Sequence, residues 1–144
     1  MTVNLRLRAA TAGGLLGLAA AMIPIAAQAD ANSAWHDYST NGVAYKNKSR
    51  FVYSHNTYAE GDTRVANGTS VAANWMGTKA RVYFQGNSLC SSSTMTYNYF
   101  ATSAWQHGYT HGCGGPIYSK ATSDTWNGNG YNSNSAYATD IVSG

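Results

Sequence analysis

Beyond residue 29 the chain contains one leucine, Leu89, against eleven tyrosines, four tryptophans and three phenylalanines. Amphipathic helices bury stripes of leucine and alanine, and a segment almost without leucine has little to build them from. Tyr, Trp, Thr and Val fit the pleated, half-buried surface of a sheet instead. The composition predicts an all-β protein. Its apolar area is carried by aromatic rings, whose polar tips serve a thin core and a wet surface together.

The first segment reads as a signal for export. Arg6 and Arg8 precede an apolar run from Ala9 to Ala27, and Ala27-Gln28-Ala29 supplies the small residues of a cleavage site. We therefore expect a signal peptide over 1–29, cut near Ala29, and a secreted protein. No cysteine follows the cut to take a lipid, and the C-terminal "YATDIVSG" has no apolar tail, so no stable membrane anchor is expected. Residues 30–144 have the length of one domain. Their seven basic and six acidic side chains nearly cancel, which gives no reason to expect nucleic acid as a partner.

Alternation places three strands. In "RFVYSHNTY" (50–58) Phe51, Tyr53, His55 and Thr57 oppose Val52, Ser54 and Asn56; in "KARVYFQ" (79–85) Ala80, Val82 and Phe84 form an apolar face; in "TMTYNYF" (94–100) Met95, Tyr97 and Tyr99 oppose Thr94, Thr96 and Asn98. Weaker strands are expected near 43–46, 63–66, 69–75, 116–119 and 136–142. Asn41-Gly42, Glu60-Gly61-Asp62, Asn67-Gly68 and Gly86-Asn87 read as turns, and Asn67-Gly68 as the strongest hairpin signal. Short strands so punctuated predict a small antiparallel β-sandwich. The polar stretch "NGNGYNSNS" (127–135) reads as a mobile loop. "SAWHDYSTNG" (33–42) and "SAWQHGYTHG" (103–112) agree at five positions with a spacing of 70, which raises an internal duplication.

"SAWQHGYTHGCGG" (103–115) concentrates the chemistry. Cys90 and Cys113 are the only cysteines, and in an exported protein they are expected to form a disulfide. The rival is a zinc site from His107, His111, Cys113 and Cys90, but Gly108, Gly112, Gly114 and Gly115 argue against the helix that would bring the two imidazoles together. A catalytic Cys-His pair needs a free thiolate, which pairing would consume. The segment thus reads as a pinned loop displaying Trp105, His107, Tyr109 and His111. Such rings stack on sugars, and the imidazoles supply hydrogen bonds. The alternative for Trp105 is that it plugs the core.

A second candidate surface is "KNKSR". Lys46, Lys48 and Arg50 occur at every other position and share one face of an extended strand. They could meet phosphate or pyrophosphate. The alternative is an edge strand defended by basic side chains against unwanted pairing. No spacing requires paired catalytic carboxylates, a nucleophilic serine, a metal or a cofactor, so the expectation is a non-enzymatic protein.

Residues 33–100 resemble the lactococcin 972 family of secreted bacteriocins through "AWHDY", "VYSHNTY", "TRVANG", "NWMGTKARV" and "TYNYF". Residues 101–144 and the cysteine pair lie outside the match. The resemblance implies a β-sandwich with antibacterial action by binding a cell-wall precursor such as lipid II, which obstructs septum formation. On that footing Trp105, Tyr109 and His107 are expected to contact sugar or peptide, with Lys46, Lys48 and Arg50 on phosphate. A different expectation is a structural adaptor subunit of an extracellular antibacterial complex, docking a larger secreted protein through its aromatic surface.

Overall fold

The computed structural model describes residues 30–52 and 58–143. The signal peptide expected over 1–29, and His55 with the middle of the 50–58 alternation, lie outside the described residues. Among the described residues there is no helix; thirteen strands form three antiparallel sheets. In chain order they are β1 (Ala31–Asn32), β2 (His36–Thr40), β3 (Val43–Val52), β4 (Tyr58–Val65), β5 (Met76–Lys79), β6 (Arg81–Phe84) and β7 (Leu89–Ser92). Then come β8 (Thr96–Tyr97), β9 (Ala104–His111), β10 (Pro116–Ser119), β11 (Thr122–Trp126), β12 (Tyr131–Ser135) and β13 (Val142–Ser143).

The first sheet runs β1-β3-β4-β9, with β2 sharing the β1 edge of β3. The second layer is two sheets laid end to end, β13-β10-β6-β7 and β12-β11-β5-β8. Only Ala80 separates β5 from β6, and Lys120-Ala121 separates β10 from β11; Lys120 N–H donates to Arg81 O (3.0 Å) across that joint. The expected sandwich is therefore present.

Its core has two apolar ends and a polar middle. At one end Tyr45, Val65, Val71, Met76 and Trp105 pack together; at the other Phe51, Ala59, Ala80, Val82 and Ile117 do. Between them the sheets meet through hydroxyls and one amide. Thr63 Oγ1 bonds Thr78 Oγ1 (2.8 Å) and Ser123 Oγ (2.5 Å), Thr40 Oγ1 bonds Thr125 Oγ1 (2.8 Å), and Asn47 Nδ2 donates to Ser123 Oγ (3.0 Å). All six of these residues are buried. Such groups are tolerated in an interior because they bond one another across the layers, although Asn47 Oδ1 has no partner among the described residues.

The disulfide Cys90–Cys113 is formed, with a Cα–Cα distance of 6.5 Å. It joins β7 in the second layer to the chain just beyond β9 in the first, against the Phe51–Ile117 end of the core.

Several local expectations are corrected. Glu60-Gly61-Asp62 is not a turn but the middle of β4, because Arg50, Ser49 and Lys48 stand directly opposite on β3. Asn67-Gly68 does turn the chain, with Gly68 at φ 75°, yet β4 pairs with β3 and β9 and not with the segment that follows. That segment, 69–75, contributes only the isolated bridge Val71↔Thr102. The 94–100 strand shrinks to Thr96–Tyr97, since buried Asn98 spends its amide on the backbone: Oδ1 accepts from Met76 N–H and Nδ2 donates to Ala72 O and Phe100 O. The supposed mobile loop at 127–135 is a tight turn leading into β12. Asn127 Oδ1 accepts from the N–H groups of Asn129 and Gly130 (2.9 Å each), and β12 pairs with β11 over five residues. Of 136–142, only the end is strand. Asn41-Gly42 turns β2 into β3 with both residues at positive φ, and Asn87 turns β6 into β7.

Candidate functional site

Strand β3 alternates as its sequence dictates. Tyr45, Asn47, Ser49 and Phe51 are buried toward the second layer, and Lys46, Lys48 and Arg50 stand half-buried on the outer face. The strand lies inside its sheet, flanked by β2 and β1 on one side and β4 on the other. Defence of a free edge therefore does not explain its lysines.

The register of the sheet builds a charged outer face around them. Lys46 is opposite Asp37 on β2 and Arg64 on β4; Lys48 is opposite Asp62; Arg50 is opposite Glu60. The two arginines are committed. Arg64 holds Asp62 through Nε to Oδ1 (3.0 Å) and Nη2 to Oδ2 (2.9 Å), with the Asp62 side chain fully buried. Arg50 pairs with Glu60, which also accepts from Gln106 Nε2 (3.1 Å). Burial raises the Glu60 carboxyl above its ordinary value, and Arg50 offsets only part of that.

Lys46 and Lys48 are different. Among the described residues neither enters an ion pair. Each places Nζ 4.9 Å from the ring centroid of Trp35, and the Arg64 guanidinium lies 5.3 Å from the same centroid. Trp35, just before β2, was no part of the expected site. It gathers two ammonium groups on its π faces, which attract cations through the ring quadrupole.

The 103–115 segment is strand over Ala104–His111 and not a displayed loop. Trp105 points inward and is 4% exposed. Its indole N–H donates to Thr96 O (2.9 Å), and its ring is covered by Tyr99, Phe100 and the His107 imidazole stacked at 4.5 Å. No face of Trp105 is open to a sugar, so the core-plug alternative describes it. His107 shares that inward side. Gly108, at φ 84°, then carries a bulge that reverses the alternation. Past it, Tyr109 is exposed beside Tyr58 (5.3 Å between centroids), and His111 is exposed opposite Tyr58. Burial, followed by the nearby Glu60 charge, raises the Tyr109 phenol. Thus Tyr109 and His111 share the outer face with Lys46, Lys48 and Arg50; Trp105 does not, and His107, stacked on Trp105, reaches the Tyr109 ring at 5.6 Å. The duplicated motif is not structurally equivalent either, since Trp35 lies outside the sheet and Trp105 inside.

The opposite outer face carries an aromatic cluster. Trp126 and Tyr131 are directly paired across β11 and β12, with centroids 5.3 Å apart at 70°. Tyr131 packs on Tyr97 (4.7 Å) and donates its hydroxyl to Asn74 O (2.8 Å). Tyr97 lies flat over Gly77, where a Cβ would come within 2.7 Å of its ring. Its hydroxyl donates to Asp124 Oδ2 (3.0 Å), while Asp124 Oδ1 accepts from Ser133. Burial and then this hydrogen bond push the Tyr97 phenol up to about 12, so it is a protonated donor at any neutral pH. Trp126 and Tyr131, with Ala73, Asn74 and Trp75, line an open cleft of about 230 Å³.

Among the described residues no three His, Cys, Asp or Glu side chains converge as metal ligands. Cys90 and Cys113 are spent on each other. Comparisons with known family models, curated proteins and solved structures return no match for this chain.

Proposed function

We propose that the chain is a secreted, non-enzymatic antibacterial protein that binds an anionic cell-envelope component, such as a sugar-pyrophosphate wall precursor, on the outer face of its first sheet. The observation that carries this reading is the Lys46–Trp35–Lys48 arrangement, two ammonium groups on one indole, neither of them in an ion pair among the described residues. Arg50 and Arg64 have their charges answered within the sheet; the lysines have theirs available. A phosphate entering between them exchanges a weak cation–π contact for charge-assisted hydrogen bonds. Trp35 fixes where the ammonium groups stand, and Tyr109 and His111 on the same face supply a ring and an imidazole for the attached sugar or peptide.

Isothermal titration with a water-soluble lipid II fragment tests it. Binding is expected to weaken as salt is raised, because the contacts are exposed. Replacing Lys46 and Lys48 together by alanine should weaken it about a hundredfold, from about 1.5 kcal/mol for each charged hydrogen bond. Trp105→Phe, a core substitution, should leave affinity unchanged. No heat at millimolar ligand with a protein of native circular dichroism overturns the reading, as does equal affinity for the double variant.

A second reading, an adaptor subunit of an extracellular antibacterial complex, is favoured by Tyr99 and Phe100. They are 75% and 49% exposed and lie edge to face over the Trp105 end of the core. A stoichiometric partner recovered from culture supernatant, and lost with Tyr99→Ser, supports it.

A further inference from the structure

The aromatic cleft between Trp75, Trp126 and Tyr131 is explained by neither the core nor the cationic face. It lies on the outer surface of the second layer: Ser123 and Thr125 of β11 point into the polar seam, so Asp124 and Trp126 point away from it. We propose that this cleft binds one ring of a neutral saccharide, independently of the anion-binding face.

Three observations lead there. First, the rings are fixed before any ligand arrives. Tyr131 is tethered through its hydroxyl to Asn74 O and braced by Tyr97, and the backbone N–H of Trp126 donates to Trp75 O (3.0 Å), which holds β11 to the chain entering β5. A site that needs no reordering loses little affinity to entropy on binding. Second, the lining of Ala73, Asn74, Trp75, Trp126 and Tyr131 contains no charged side chain. Asp124, on β11 two residues before Trp126, is occupied by Tyr97 and Ser133. An anionic or cationic ligand would find nothing to pair with.

Third, the cleft combines ring surface with a free amide. Trp75 and Trp126 remain half-exposed, Tyr131 is 40% exposed, and the exposed Asn74, held at φ 65°, keeps its side-chain amide without a partner among the described residues. A pyranose offers the complement, C–H groups on its faces for the rings and hydroxyls on its edge for the amide. A purely apolar occupant would bury that amide unsatisfied. The larger recess of about 400 Å³ near Tyr118 has one ring, with Gln85 and Lys120 at its border, and lacks this complementarity.

Heteronuclear NMR of the purified protein tests the proposal, using triacetylchitotriose, cellotriose and maltotriose alongside a neutral glycan array. The indole N–H resonances of Trp75 and Trp126 should shift with at least one of them, and that of Trp35 should not. Trp126→Ala or Tyr131→Ala should weaken binding by at least about tenfold. Lys46→Ala with Lys48→Ala should leave it unchanged, which separates this site from the anion-binding reading: either can fail alone. Tyr131→Phe keeps the ring and loses only the tether, so a smaller loss is expected there even if the alanine variants fold poorly. The proposal is overturned if no neutral saccharide perturbs the Trp75 and Trp126 indoles, if the shifts fall on Trp35, or if those indoles shift with protein concentration alone, which would make the cleft a contact between copies.

Discussion

Trp105→Ala should lower the free energy of unfolding by about 3–5 kcal/mol, the usual cost of emptying a large aromatic site in a core. The indole is buried against Tyr45, Val65, Val71 and Met76, and its N–H is bonded to Thr96 O. Truncation leaves a cavity where the two layers meet and strands a carbonyl. Small domains hold only about 5–15 kcal/mol in total, so urea denaturation should show a large fall in midpoint with little change in slope. Trp105→Phe should lose less, about 1–2 kcal/mol, because ring area remains while the hydrogen bond goes. If the alanine variant unfolds within about 1 kcal/mol of the parent, Trp105 is not a keystone of this end of the core.

Removing the Cys90–Cys113 bridge, by the double alanine variant or by reductant, should cost about 3 kcal/mol for a loop with a sequence separation of 23. Thermal unfolding should then begin about 10 °C lower or more. The staple matters here because it ties the edge of one layer to the chain leaving the other, beside the smaller apolar end of the core. Ser91, next to Cys90, already reaches across to His111 O (2.7 Å) and Thr110 Oγ1 (2.8 Å). Those bonds should hold the reduced protein in its native arrangement, so the loss should appear as lower stability with an unchanged far-ultraviolet spectrum. An unchanged midpoint after complete reduction would refute this assignment of strength.

The features that proved legible in the sequence are those decided locally. A leucine-poor, tyrosine-rich chain forms sheets, two cysteines pair, and Lys46, Lys48 and Arg50 line one face because side chains alternate along a strand. What escaped is decided by neighbours in space. Trp35 and Trp105 sit in nearly the same local sequence, yet one caps the outside and the other fills the core, since Trp35 precedes β2 while Trp105 is paired with Thr63 on β4. Glu60-Gly61-Asp62 has turn composition, but the cations opposite make it strand. The aromatic cleft draws on residues from 73 to 131 and has no contiguous motif. Part of it was nevertheless visible: in "WNGNGY" the turn residues bring Trp126 and Tyr131 directly across from each other.

The hydroxyl seam that joins the layers bears on how the fold responds to temperature. Apolar surface raises the heat capacity when it is exposed on unfolding, and polar surface lowers it. An interior whose middle is threonine, serine and asparagine should therefore unfold with a heat-capacity increment below the usual ~12–15 cal/mol/K per residue. Calorimetry should trace a broad, flat stability curve, one that holds its height over a wider span of warm and cold than an oil-filled sandwich of equal size.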